Sequence, residues 1–337
     1  MSRVSESRAR RLHALVRASR SVFITGHVRP DGDTVGSALA LGHVLRRGGA
    51  RVVDIVMQEP CPETFAFLPG CSRIRSAHRV EGSYDLGIIL ECADVSRMGG
   101  IIDLARLRRT VALDHHEMRA GASDRVRFDL ALVYPSYASC AEIVYDLLVW
   151  WGEPVSRAVA QCLYTGIVTD TGRFQWSNTD EHTLTTAAAL VRIGVRPLDM
   201  FRRLYGNRDP RVLVLLGKVL GTLTVVQTGG LRVTHLSVTR LMFEQTGAGP
   251  ADTEGFIDYA VSVAGTDVAL FFREDDRGSV KVSFRSHRVN VERVARWFGG
   301  GGHRYASGAT VPGPLSRAVR VVLAALRKAG SRIGRDV

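Results

Sequence analysis

The stretch that most constrains this chain is His27-Val28-Arg29-Pro30-Asp31-Gly32-Asp33, set between the apolar run Val22-Phe23-Ile24-Thr25 and an amphipathic helix. An imidazole and two carboxylates at the end of a strand supply three cation ligands. Gly32 is expected to let the turn bring both carboxylates inward, and Pro30 to stiffen it. Behind them Val35, Ala38, Leu39, Gly42 and Leu45 recur at helical spacing. The acids therefore sit at the mouth of a strand-loop-helix unit, where parallel sheets place ligands. Taken alone, the same stretch also reads as a polar turn with a helix N-cap at Asp33 or Thr34.

The rest of the chain separates the two readings. A basic amphipathic helix over 1–20 precedes a strand at 22–26, and helix 34–48 leads to a second strand at 51–57, which makes one βαβ unit. Asp85-Leu86-Gly87-Ile88-Ile89-Leu90 reads as a buried parallel strand that delivers Glu91-Cys92-Ala93-Asp94 at its carboxyl end. Thr110-Val111-Ala112-Leu113 is similar and delivers Asp114-His115-His116. Helices are expected over 138–151, about 155–168 and 179–191, the second running into Thr169-Asp170-Thr171-Gly172. Repeated delivery of acids and histidines at strand ends is how an open α/β sheet builds a site. Adjacent histidines at a strand exit point to different sides, so one can ligate a metal while the other faces substrate. The donors are oxygen and imidazole with no thiolate, which favours Mn²⁺ or Mg²⁺ over structural zinc.

At 337 residues the chain exceeds one typical core. The expected organisation is a catalytic domain over 1–191, a hinge over 192–215 and a smaller domain over 216–337. The last part shows short alternating strands (222–227, 231–237, 266–272, 279–285), helices near 239–246, 252–264 and 290–297, a Gly-rich turn and a final helix at 314–329, the grammar of an α+β domain. The formal charge of +12 sits almost wholly in residues 1–20 and 317–337, so binding to long duplexes is not implied, although basic ends can gather anionic substrates. Five scattered cysteines without a Cys-x-x-Cys pair argue against a zinc ribbon or a disulfide framework and fit a reducing compartment. No apolar run reaches a membrane span, and the Arg-rich start lacks a signal-peptide apolar region; the expected location is the cytoplasm.

Together, His27-x-x-x-Asp31-x-Asp33-x-x-Gly36-Ser37, Asp114-His115-His116, Thr169-Asp170-Thr171-Gly172 and Gly299-Gly300-Gly301-Gly302-His303 resemble the DHH phosphoesterase family, the last motif being similar to that of its C-terminal DHH-associated domain. The resemblance spans nearly the whole chain, and the motifs keep the family's order. Within the family the chain is most similar to the standalone nano-RNases that also act as 3'-phosphoadenosine 5'-phosphate phosphatases. It is too short for the larger RecJ-type exonucleases and lacks the membrane and sensory segments of many cyclic-dinucleotide phosphodiesterases.

The resemblance implies an α/β fold: a mostly parallel sheet with flanking helices, plus a smaller α+β C-terminal domain, with the active site in the interdomain cleft. It implies two divalent ions, Mn²⁺ first and Mg²⁺ as the alternative. One would be held by His27, Asp31 and Glu91, the other by Asp33, Glu91, His115 and Asp170. The bridging residue is typically Asp in the family; here it is Glu91, with Asp94 three residues on as the alternative. His116 would donate to a phosphoryl oxygen, and Asp114 would orient a histidine. The Gly299–Gly302 run, with Gly300, Gly301, Gly302 and His303, reads as a loop whose exposed amides cradle a phosphate, or as a flexible turn. Arg285 reaches the same anion or ends its strand in solvent. The implied substrates are short RNA oligonucleotides and nucleotide bisphosphates. A pyrophosphatase-like or linear-dinucleotide hydrolase and a low-turnover nucleotide-binding module are the rivals, and a homodimer is left open.

Overall fold

Short aliphatic runs without polar alternation suit strands covered on both faces, and the first half of the chain places them so. The computed structural model describes residues 3–116, 128–276, 278–302 and 304–333. It divides into two units, the first ending at Asn207 and the second starting at Arg208. In the first, α1 (Glu6–Ala18), β1 (Ser21–Thr25), α2 (Gly32–Arg47), β2 (Val52–Met57), β3 (Ile74–Ser76), β4 (Leu86–Leu90), β5 (Thr110–Asp114) and β6 (Leu130–Val133) precede α3 (Cys140–Trp150), α4 (Arg157–Asp170), α5 (Glu181–Arg192) and α6 (Pro197–Leu204). The sheet order is β3-β2-β1-β4-β5-β6, and every pairing is parallel. The chain winds outward from β1 to one edge and then returns to start again at β4. The exits of β1 and β4 therefore lie side by side at the point where strand order reverses, the position at which open α/β sheets bind ligands.

Alternation along the strands feeds two cores. Val22, Ile24, Ile88 and Leu90 face α2, α3 and α4, while Phe23, Val56 and Ile89 face Tyr84, Met98, Ile101 and Leu107 from loops and 3₁₀ turns. The two central helices pack unusually close. A Cβ on Gly36 would lie 2.3 Å from the Cys162 carbonyl oxygen, and one on Gly32 would strike Thr169. This corrects the expected role of Gly32: its φ is not positive, and it is glycine because α4 passes against it.

The second unit contains α7 (Pro210–Leu220), β7 (Thr224–Thr228), β8 (Leu231–Val238), α8 (Arg240–Thr246), α9 (Ile257–Val261), β9 (Val268–Glu274), β10 (Ser279–Ser286), α10 (Val291–Arg296), β11 (Gly301–Gly302), β12 (Ala306–Pro312) and α11 (Leu315–Ile333). Its mixed sheet runs β11-β12-β10-β9-β8-β7, with only β8 and β9 parallel. Val268, Leu270 and Phe272 meet Val322 and Leu326 of α11 on one face, and Ala269 and Phe271 meet Leu215 and Phe256 on the other.

Some elements differ from expectation. The helix expected over 252–264 shrinks to α9, because Gly255 takes φ 78° and breaks it. Strands β3 and β12 carry too few apolar residues to announce themselves, and β6, though wholly apolar, is only four residues long. The stretch expected as a hinge contains α6 and the start of α7, each begun by a proline in its first turn. The sulfurs of Cys61 and Cys71, ten residues apart, approach to 3.1 Å as free thiols.

A matched pair of substitutions tests the helix contact. Gly36→Ala should destabilise the first unit by about 1–3 kcal/mol through overpacking. Gly217→Ala, on an exposed face of α7 with nothing within 4 Å, should stabilise the second by roughly 0.5–1 kcal/mol. Urea denaturation of both variants reads the signs.

Candidate metal centre

Residues from four exits converge at the carboxyl end of the parallel sheet. His27 follows β1, Asp31 and Asp33 open α2, Glu91 follows β4, His115 follows β5, and Asp170 ends α4. Asp31 is both helix cap and site residue. Its Oδ1 accepts the amides of Asp33 (3.1 Å) and Thr34 (2.9 Å), while Oδ2 lies 3.3 Å from His27 Nε2. The N-cap is thus Asp31, rather than Asp33 or Thr34.

Asp33 is fully buried and points back into the protein. Its Oδ2 accepts the Cys140 amide at 2.5 Å, and Oδ1 accepts the Ala141 amide at 2.8 Å and the Ser37 hydroxyl at 3.2 Å. Those amides belong to the first turn of α3, whose positive end favours a carboxylate. Glu91 is 1% exposed and takes φ 55°, a left-handed conformation uncommon for a residue with a side chain. Its Oε2 lies 3.4 Å from His27 Nε2 and accepts the Thr34 hydroxyl; its Oε1 lies 3.4 Å from His115 Nε2. His115 Nε2 is also 3.0 Å from Asp170 Oδ2 and 3.9 Å from Asp33 Oδ2.

Three groups of potential ligands share the Glu91 carboxylate: His27, Asp31 and Glu91; Asp33, Glu91, His115 and Asp170; and Glu91, His115 and His116, the last overlapping the second. Glu91 Oε1 and His115 Nε2 are buried and make no hydrogen bond despite their proximity, as expected of ligands aimed at a common point rather than at each other. The donor set suits a hard or borderline divalent cation. Cys140 is close, but its thiol faces the Leu113 carbonyl, and burial, followed by the charges of Asp33 and Glu91, pushes its pKa up. Asp31 is half exposed and Asp170 23% exposed, so the cluster opens to solvent on their side.

Asp94 does not join the cluster. It caps the 3₁₀ turn Val95–Met98, accepting the Ser96 amide and hydroxyl on Oδ1. Asp114 is buried and ties two exits together: Oδ2 accepts the Ala93 amide at 2.8 Å, and Oδ1 accepts the His116 amide at 2.9 Å and faces His116 Nδ1 at 2.8 Å. The rings of His115 and His116 lie 4.4 Å apart between centroids, tilted by 52°.

The expected cradle of exposed amides in the second unit is corrected. The Gly299 amide donates to Arg296 and the Gly300 amide to Ala295, closing the end of α10, while Gly301 and Gly302 pair as β11 with Gly308 and Ser307. Gly300 is glycine because a Cβ there would lie 2.2 Å from the Gly308 carbonyl oxygen. Arg285 lies on β10 one register step from this row, opposite Ala306. It is half-buried, its Nη1 donates to the Phe284 carbonyl, and it makes no carboxylate ion pair among the described residues. Burial lowers its pKa, opposed by the charge of Asp258. His303 lies outside the described residues.

The sequence offers Thr34 as a cap and Ser37 as a motif residue, but not their roles as donors to Glu91 and Asp33, and it gives no sign of the Cys140 and Ala141 amides. Ser139-x-x-Glu142 carried a legible signal, the spacing of a capping box, and Ser139 does cap α3.

Residues 21–167 match the DHH family, N-terminal domain, and residues 232–329 match the DHHA1 domain. The chain is 34% identical over 316 residues to the bifunctional oligoribonuclease and PAP phosphatase NrnA of Thermus thermophilus, covering 93% of this chain and 91% of that one. It is 27% identical over 302 residues to the protein of the same name from Bacillus subtilis, covering 86% and 89%. The crystal structure of an exopolyphosphatase-related protein from Bacteroides fragilis matches with a TM-score of 0.89 at 25% identity, covering 98% of both chains.

Without metal the cluster holds protons. Burial lowers the pKa of His27, but hydrogen bonds to Asp31 and Glu91 outweigh it and carry it up to about 9; burial pushes Asp170 up to about 6. A cation needs both groups deprotonated, so binding must expel protons. His115 holds a proton too, because burial is outweighed by Asp170 and Glu91, which keep its pKa well above the usual imidazole value. Mn²⁺ affinity should therefore rise by at least about tenfold per pH unit between pH 7 and 9 as the histidines lose their protons, and more steeply below pH 6, where Asp170 also holds one. Calorimetric titration across this range checks it, and a flat profile would remove these residues from the ligand set.

Proposed function

Since the chain belongs to the DHH family and carries a DHHA1 domain, we propose that it is a two-metal phosphoesterase. Its substrates are very short RNA oligonucleotides and 3'-phosphoadenosine 5'-phosphate, the activities stated in the names of its Thermus and Bacillus relatives. One observation carries this reading: a single buried carboxylate, Glu91, lies between two imidazoles that belong to two separate ligand clusters. His27, Asp31 and Glu91 hold one cation, and Asp33, Glu91, His115 and Asp170 the other, with Mn²⁺ preferred by the oxygen and imidazole donors. Such a pair of cations lowers the pKa of water and neutralises phosphoryl charge.

The protein's own groups do the rest. Asp114 Oδ1 faces His116 Nδ1, which turns Nε2 outward; when the ring carries both protons, Nε2 donates to a phosphoryl or leaving oxygen as charge builds there. Asp33, clamped by the first turn of α3, fixes its cluster before substrate arrives. In the second unit Arg285 supplies a bidentate donor for a terminal phosphate, together with His303 at the end of the glycine run. All five cysteines are free thiols, which supports a cytoplasmic location. No helix among the described residues is long and apolar enough to cross a membrane.

Mn²⁺-supplemented assays on a dinucleotide and on 3'-phosphoadenosine 5'-phosphate should show hydrolysis of both, abolished by chelation. Binding without turnover would favour a nucleotide-binding module instead. Glu91→Gln should cost about a hundredfold or more in rate, and Glu91→Asp much less, because the bridge needs charge before reach. Asp94→Asn should stay within about twofold of wild type, since it only caps a turn; an equal loss there would move the bridge to Asp94. His303→Ala should raise KM for short substrates by about 5- to 150-fold, the scale of a charge-assisted hydrogen bond, and an unchanged KM would drop His303 from the phosphate grip.

A further inference from the structure

The segment after Asp170 holds three consecutive residues in the left-handed region: Gly172 at φ 54°, Arg173 at 66° and Phe174 at 64°. Two of them carry side chains that resist this conformation, and such strain persists only where the surroundings impose it. Here Thr171 imposes it. Its carbonyl accepts the amides of Gln175 and Trp176, both at 3.0 Å, and its buried hydroxyl accepts the Phe174 amide at 3.1 Å while donating to Ile167. Asn178 Nδ2 then donates to the Asp170 carbonyl at 2.9 Å. Both ends of the turn are thereby pinned to a residue of the metal cluster or its neighbour.

Two of the side chains that the turn presents have partners. The Arg173 guanidinium lies 5.2 Å from the centre of the Tyr205 ring, and Phe174 meets Tyr164 edge-on. Trp176 is different. Its indole is 48% exposed and makes no hydrogen bond, ring contact or cation contact among the described residues. A Cβ on Gly172 would lie 2.3 to 2.6 Å from three of its ring atoms, so one face of the indole rests flat on that glycine. The backbone therefore holds a large, half-exposed aromatic ring against Gly172, in a turn that starts directly after Asp170 of the cluster and is tied back to its carbonyl.

We propose that Trp176 is a stacking platform for the nucleobase of the substrate nucleotide whose phosphate sits at the Asp170 and His115 cluster. This rests on the nucleotide-hydrolase reading above and deepens it. Stacking on an aromatic face is tolerant of base identity, so the platform would admit short oligonucleotides of varied sequence, and its fixed turn would spare the cost of ordering an indole on binding.

The test compares adenosine 3',5'-bisphosphate with ribose 3',5'-bisphosphate, which keeps both phosphates but lacks the base. Turnover is read with Mn²⁺, and binding by equilibrium dialysis with Ca²⁺ in its place. Trp176→Ala should weaken binding of the nucleotide and raise its KM about tenfold, leave ribose bisphosphate within about twofold, and leave kcat within about threefold. Trp176→Phe, which keeps an aromatic face, should restore most of the nucleotide affinity. An unchanged affinity for the nucleotide in Trp176→Ala, or an equal loss on both ligands, would overturn the platform. Wild-type protein that binds the nucleotide but does not hydrolyse it would sink the hydrolase reading while the platform stands or falls on the binding comparison; wild type that does neither would sink both.

Discussion

The carboxylate of Asp33 is the interaction on which the first unit turns. A polar group at that depth is costly to strip of water unless fixed partners replace it, and here two amides at the start of α3 and the Ser37 hydroxyl do so. The same contact joins the β1 exit, α2 and α3 into one frame. It leaves so little room that Gly166 of α4 has no alternative: a Cβ there would lie 2.6 Å from Asp33 Oδ1 and 2.7 Å from Ala141. The close packing of α2 on α4 at Gly32 and Gly36 follows from the same requirement, because α4 must come near enough to bring Asp170 to His115.

Beside Asp33 lies a second buried carboxylate, Glu91, and their mutual repulsion is resolved by division of charge. Burial, then the charges of Glu91 and Asp170, push Asp33 well above the ordinary carboxylate range; burial acts against Glu91 too, but His115 and His27 outweigh it and hold Glu91 well below. A cavity so rich in acids and imidazoles is poorly satisfied by its own members, as the orphaned Glu91 Oε1 and His115 Nε2 attest. Cations meet that shortfall better than protons do. The backbone bears strain around the same point, in Glu91 on one side and in Arg173 and Phe174 on the other. Rigid left-handed turns on both flanks suit a centre whose ligands must be placed before substrate arrives.

Asp114 shows how a residue can serve the centre without facing it. By accepting the Ala93 amide it binds the exit of β4 to the exit of β5, and by facing His116 Nδ1 it settles which nitrogen of that ring looks outward. Strand register, ligand spacing and the orientation of His116 thus depend on one side chain.

Much of the centre was legible because ligand chemistry and strand exits coincide in the chain. His27, Asp31, Asp33, Asp114, His115 and Asp170 announced themselves as polar residues directly after apolar runs, and the unbroken burial of β4 and β5 follows from Leu86–Leu90 and Thr110–Leu113. The glycines were visible but misread at Gly32 and Gly300, since a sequence records that a Cβ is missing and not whether conformation or a neighbouring backbone forbids it. Glu91 and Asp94 could not be separated by spacing alone. The fold places Glu91, in a left-handed conformation, among the clustered ligands and uses Asp94 to cap a 3₁₀ turn, which supports Glu91 over Asp94. The amino-acid sequence by itself determined which chemical groups this protein can bring to a phosphate, because residue type and strand-end position are local properties. Only the tertiary structure decided that one buried carboxylate lies between the two imidazoles, because that depends on β1, β4 and β5 lying side by side, and so on contacts between residues 24 and 64 positions apart in the chain.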